Sequence, residues 1–264
     1  MRPRFLVIIL MASFFIFPGY GQAKSSPTSD QWSHLTELTT DLSQAVDQKD
    51  TTASLTFVQD FLKTWTKLQK SDAANLTDTD SRTMTTSLDT LKMDLNNQED
   101  PVKLKRDVVQ LSLVVDALST DGTPMWISMS DQVMSALNNV QTDLEANKDE
   151  AFQVDLNKFL DLYQMIYPAM VINVSPQKVN RIEGTVLVMT NNRMTYIQNR
   201  SQNIGQLHAL ESDLKSVFKV RSQSVNALPD ESLHSMMLAM GGLIGLVLLY
   251  VSWKKYRGGV TPTN

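Results

Sequence analysis

The 264-residue chain has no cysteine and carries 28 acidic against 24 basic side chains, which excludes disulfides, a thiol nucleophile and a Cys-ligated zinc site. Five of the basic residues, Arg2, Arg4, Lys254, Lys255 and Arg257, stand at the two ends, so the interior keeps 19 of the 24 against all 28 acids, a balance of −9. A surface of that sign argues against nucleic acid as a partner.

Residues 1–23 read as an export signal. Arg2 and Arg4 precede the apolar run Phe5 to Phe17, Pro18-Gly19 breaks it, and Gly21 and Ala23 take the two small-residue positions of a cleavage site after Ala23. A run of thirteen residues, all but Ser13 apolar, is short for a permanent span, which needs about 20.

From residue 24 to residue 221 the apolar spacing is helical. Leu35, Leu38, Leu42 and Val46 trace one face of a first helix, and Val108, Leu111, Val115 and Leu118 one face of a fourth. The β-branched run Thr185 to Met189 lies in a longer stretch where Ile182, Val186, Met189 and Met194 share a helix face. Asp100-Pro101, Thr123-Pro124 and Ser175-Pro176 each offer a side-chain acceptor at N-cap and a proline at N1, where its missing N–H costs nothing. Caps and gaps together predict eight helices, near 30–47, 50–70, 79–97, 101–119, 124–147, 149–167, 176–198 and 201–221. The fold class is therefore all-α.

A shift of 98 residues lays Leu35, Leu38, Leu42 and Val46 on Val133, Ala136, Val140 and Leu144, and Phe61, Leu62, Trp65 and Leu68 on Phe159, Leu160, Tyr163 and Ile166. Met84, Leu88 and Leu91 then fall on Ile182, Val186 and Met189. With one inserted residue, Val108, Leu111, Val115 and Leu118 fall on Leu207, Leu210, Leu214 and Val217. Two arrangements follow: two tandem four-helix units, 30–121 and 124–221, with Asp121-Gly122 between them, or one body of eight helices whose amphipathic faces slide into register.

A polar leash, 222–232, leads to a transmembrane helix, 233–253, and a basic tail, 254–264. Its core, Met236 to Trp253, is eighteen residues without a charge, about 27 Å of helix against a hydrocarbon layer of about 30 Å. Basic residues at both ends place those ends in the cytoplasm and the helical domain outside, in a single-pass cell-membrane protein. Gly241 and Gly245 form G-x-x-x-G, which allows a homodimer through close backbone approach in lipid.

Candidate chemistry is sparse. His34 with Glu37 and His208 with Glu211 give H-x-x-E twice, the reverse of the Glu-x-x-His order of helical di-metal sites, so no metal site is expected. No phosphate-binding, nucleotide-binding or hydrolase signature occurs, so neither catalysis nor a cofactor is expected. Trp65, Trp126, Tyr163 and Tyr167 are the candidates for a ligand or partner pocket, although aromatics at helical spacing more often build the core. Gly184 and Gly205 hint at close helix approach or room for a ligand. The sequons at Asn75, Asn173 and Asn199 read as chance matches if the source is bacterial.

The export signal, the cysteine-free acidic helical exterior, the single C-terminal span and the tail WKKYRGG, Trp253 to Gly259, together resemble the YpjB sporulation protein family of endospore-forming bacteria. The resemblance covers the whole chain in layout more than in motif. It implies a membrane protein linked to spore formation and supplies no catalytic residues. The reading that follows is a non-enzymatic, single-span protein whose outward helices bind an envelope protein partner. The alternatives are an extracytoplasmic small-ligand sensor acting through a partner and, third, an envelope enzyme.

Overall fold

The computed structural model describes residues 27–225, with side chains from Thr28 to Lys219. Within them the chain is all helix: α1 (Pro27–Asp47), α2 (Thr51–Gln69), α3 (Asp78–Asn96), α4 (Pro101–Ser119), α5 (Ser130–Glu145), α6 (Asp149–Asn173), α7 (Pro176–Asn191), α8 (Arg193–Gln198) and α9 (Arg200–Val225), with 3₁₀ turns at Asp72–Ala74 and Met125–Met129. The signal segment and the apolar segment with Gly241 and Gly245 lie outside the described residues. Among the described helices none is long and apolar enough to cross a membrane.

Local chemistry explains the boundaries. Asp50 caps α2 by accepting from the Ala53 N–H at 2.9 Å, Thr77 and Asp80 form a reciprocal capping box on α3, and Asp100 caps α4 through the Val102 N–H at 2.7 Å. Helices α1, α3 and α5 end in one way. Lys49, Gln98 and Asn147 adopt positive φ of 58°, 53° and 57°, and the next N–H in each turn reaches back to Ala45, Asp94 and Asp143 O at 2.9, 3.1 and 2.9 Å. These are Schellman closures built without glycine, and they fold the chain into tight antiparallel hairpins.

The structure departs from the predicted elements at five places. Pro124 opens a 3₁₀ turn, not α5, and the Met125 N–H is taken by Asp116 rather than by Thr123. Pro176 does stand at N1 of α7, but the Ser175 side chain makes no cap. The segment 176–198 breaks at Asn192 into α7 and α8, and α9 continues to Val225, into the expected leash, since no proline or glycine intervenes before Pro229. Finally, α6 does not stop at Tyr167 but carries Pro168 in its interior. Proline has no N–H for the Gln164 carbonyl, and the Gln110 side-chain amide on α4 donates to that carbonyl at 2.8 Å.

The buried apolar side chains form two cores. Leu35, Phe61, Trp65, Met84, Leu88 and Leu111 represent one, enclosed by α1 to α4 in a ring of adjacent helices. Val133, Phe159, Ile182, Leu207 and Leu214 represent the other, enclosed by α5, α6, α7 and α9 in the same cyclic order. The residues matched by the 98-residue shift are buried in their respective cores, except that Leu62 is 40% exposed where Leu160 is 6%, and Leu118 is only partly covered. α4 packs on α6 and joins the bundles. Its Leu111, Val114 and Val115 face the first core, its Leu113 and Ala117 the second, and Ile172 of α6 packs against both.

Candidate functional site

The four aromatic candidates do not converge. Trp65 sits in the first core at 1% exposure, its ring 6.3 Å from Trp32 and its Nε1 donating to Thr85 Oγ1 at 3.3 Å. Trp126 is fully buried in the second core. Its Nε1 donates to Asn173 Oδ1 at 2.9 Å, and Asn173 Nδ2 donates to the Ala117 carbonyl at 3.1 Å. One side chain thus ties the 3₁₀ turn and α4 to the last turn of α6, a role invisible in the sequence, where Asn173 stood out only as a sequon. Tyr163 and Tyr167 are neighbours, ring centres 5.6 Å apart. Burial first, then a hydrogen bond to Glu183, pushes the Tyr167 hydroxyl up to about 12. The buried Tyr163 hydroxyl has no partner among the described residues, and burial raises its pKa as well.

The H-x-x-E pairs behave differently from each other. His34 Nδ1 lies 3.5 Å from Glu37 Oε2 within its own helix, whereas His208 Nε2 pairs at 3.7 Å with Glu145 of α5. Glu211 instead accepts from Lys215, which lowers its pKa most, and from Gln141 at 3.5 Å. Among the described residues no group of three metal-ligating side chains assembles. A methyl group added at Gly184 or Gly205 meets no atom within 4 Å, so neither glycine marks a close approach.

The most unusual electrostatics lie where the bundles meet. Asp94, 1% exposed near the end of α3, accepts from Lys103 Nζ, and this bond raises the lysine's pKa. Asp107, one turn further along α4, carries a buried Oδ2 with no ordinary partner. Burial, then a hydrogen bond to Asp94 and that carboxylate's charge, pushes the Asp107 carboxyl up to about 7 against the pull of Lys103 and Arg106. Two carboxyls share a hydrogen bond only if one holds a proton, so the proton supplies the partner that Asp107 otherwise lacks. A cavity of about 80 Å³ beside them is lined by Lys103, Arg106, Asp107, Gln110, Asp161 and Gln164, and Arg106 pairs with Asp161 across it. The α5–α6 hairpin has a counterpart: Asp143 is buried, and burial followed by a hydrogen bond to Asp155 raises its pKa.

Four of the five strongly exposed apolar side chains described within residues 124–221 lie toward one end, the fifth being Met125 on the 3₁₀ turn. Val154 near the start of α6 is 66% exposed, Leu187 and Val188 near the end of α7 are 50% and 47%, and Met194 of α8 is 67%. That end is held by Phe152 stacked on Tyr196 at 6.4 Å, by Arg193 Nη1 donating to Asn157 Oδ1 at 2.7 Å and by the Arg200–Asp149 ion pair. The bracing fixes α8 against α6, while the apolar side chains around it face water.

Residues 32–261 match the family described as Sporulation protein YpjB. The chain is also 25% identical over 256 residues to a Bacillus subtilis (strain 168) protein named Uncharacterized protein YpjB, covering 96% of this chain and 94% of that one. No solved structure matches. With all but the first 31 and the last three residues matched, and a helical body throughout the described part, this chain belongs to the YpjB family of sporulation proteins.

Proposed function

We propose that this chain is a non-enzymatic, single-span membrane protein whose outward helical body binds another envelope protein during sporulation. The observation that carries the reading is the end of the second bundle, where Val154, Leu187, Val188 and Met194 stay exposed on helices that are otherwise braced. Large apolar side chains grouped on a rigid surface gain free energy only when another surface covers them. The uncharged stretch Met236–Trp253, followed by Lys254, Lys255 and Arg257, supports anchoring, with the body outside and the tail in the cytoplasm. Gly241 and Gly245 allow a second copy to pack alongside in the bilayer.

A photo-crosslinking side chain placed at Leu187 or Met194 in sporulating cells is expected to yield one discrete adduct, and the same probe at Thr56 or Thr86 of the first bundle none. Identical ladders from all four positions, or no adduct from the first two, would overturn the partner surface. Orientation is tested separately, because a chain without cysteine accepts single reporters. Thr56→Cys should react with a membrane-impermeant maleimide on intact protoplasts and Thr263→Cys only after lysis. The reverse pattern would invert the topology.

A further inference from the structure

Beside α4, between the facing sides of α5 and α6, lies an open cleft of about 600 Å³. Helical spacing builds it: Lys158, Asp161, Leu162 and Met165 share one face of α6, and Gln132, Ser135 and Ala136 share the facing side of α5. The floor is apolar, made of Leu162, Met165 and Ala136, the last 2% exposed and too small to fill the space in front of it. The Arg106–Asp161 ion pair forms one wall. Two rim charges of opposite sign, Asp131 in the first turn of α5 and Lys158 on α6, are exposed and have no ion-pair or hydrogen-bond partner among the described residues.

The hairpin reverses at Asn147, so Asp131 lies opposite the region of Tyr163, roughly five residues along the axis from Lys158, or about 7.5 Å at the helical rise. Asp131 and Lys158 stand on neighbouring helices whose axes are about 8–10 Å apart, so their Cα atoms are separated by roughly 12 Å, a distance that the termini of an extended tri- or tetrapeptide span at about 3.5 Å per residue. We propose that this cleft binds a short free peptide, with its terminal ammonium at Asp131, its terminal carboxylate at Lys158 and its side chains on the Leu162–Met165 floor. Gln132 and Ser135 stand between the two charges as hydrogen-bonding groups for the intervening amides. A ligand with a single charge would leave the opposite rim charge unanswered, and a purely apolar one would leave both. The site is separate from the partner surface, since Val154, Leu187, Val188 and Met194 do not line it.

The test uses the full chain in mild detergent, titrated calorimetrically with the tripeptide Ala-Leu-Ala, its N-acetylated form and its C-terminal amide. The free tripeptide is expected to bind and each capped form to bind at least tenfold more weakly. Asp131→Asn should erase the preference against N-acetylation alone, and Lys158→Met the preference against amidation alone. Both side chains are exposed, so the variants should keep the parent's melting temperature. The charge-exchanged double variant D131K/K158E should regain binding of the free tripeptide in the reversed direction. Absence of heat with the free tripeptide, or equal binding of free and capped forms, overturns the proposal. Adducts from Leu187 and Met194 would be untouched by that outcome.

Discussion

Single side chains decide how the two bundles meet. Asp107 has its carboxyl pushed up to about 7, chiefly by burial, whereas in the unfolded chain it titrates near 4. Between these values the folded state holds the extra proton, so the contribution of this group to stability is fully present below about 4 and is lost as pH rises to about 7. Asp107→Asn keeps the hydrogen bond to Asp94 without needing a proton. At pH 8 it should raise the melting temperature by about 2–4 °C, the shift that about 1 kcal/mol gives a domain of this size. It should also flatten the fall in melting temperature between pH 5 and pH 8, and an unchanged slope would assign that fall to another group. A second pair of residues tests the proline inside α6. Gln110 donates to the Gln164 carbonyl that Pro168 leaves without a helical N–H, so Gln110→Ala should cost about 0.5–1.5 kcal/mol in urea denaturation. In a Pro168→Ala background the backbone supplies that N–H and the same substitution should cost close to nothing. The predicted helix ends at 167, before Pro168, because the Gln110 donor that accompanies its continuation lies on another helix.

At the scale of the element, helix faces are legible and joints are less so. The spacing that marks Leu35, Leu38, Leu42 and Val46 survives folding because a 3.6-residue period leaves one stripe to bury, and all four are below 5% exposure. Thr185–Met189 is helical despite its β-branched residues, since Ile182, Val186 and Met189 all reach the core from that period. The turns at Lys49, Gln98 and Asn147 carry no glycine signal, yet their spacing of 49 residues repeats a hairpin joint three times. The two glycines that do stand out have no packing role: Gly184 and Gly205 are exposed helix-interior positions with free space around them. Gly184→Ala and Gly205→Ala should therefore each stabilise the protein by about 0.5–1 kcal/mol, additively, by reducing the freedom of the unfolded chain. A loss of stability at either position would point to a surface that needs the bare backbone.

For the whole molecule, the question left open by the sequence was one body or two. The two cores are distinct, but α4 contributes to both, and Ile172 packs on each. Unfolding either bundle alone would expose one face of α4 and separate Gln110 from Gln164, so the helical domain should melt in a single calorimetric transition whose van't Hoff and calorimetric enthalpies agree. Two resolved transitions would mean that the shared helix does not couple the halves. The all-α class, the core-facing residues other than Leu62 and Met194 and, among the described residues, the helix count to within one were determined by the sequence alone, because helical periodicity and side-chain caps are local and each is written within a few consecutive residues. Only the tertiary structure decided that Trp65 and Trp126 serve separate cores, that Asp94 meets Asp107, and that Asp131 and Lys158 rim one cleft. Those relations depend on which helices pack together, and a pattern with the same period on every helix does not specify its partner.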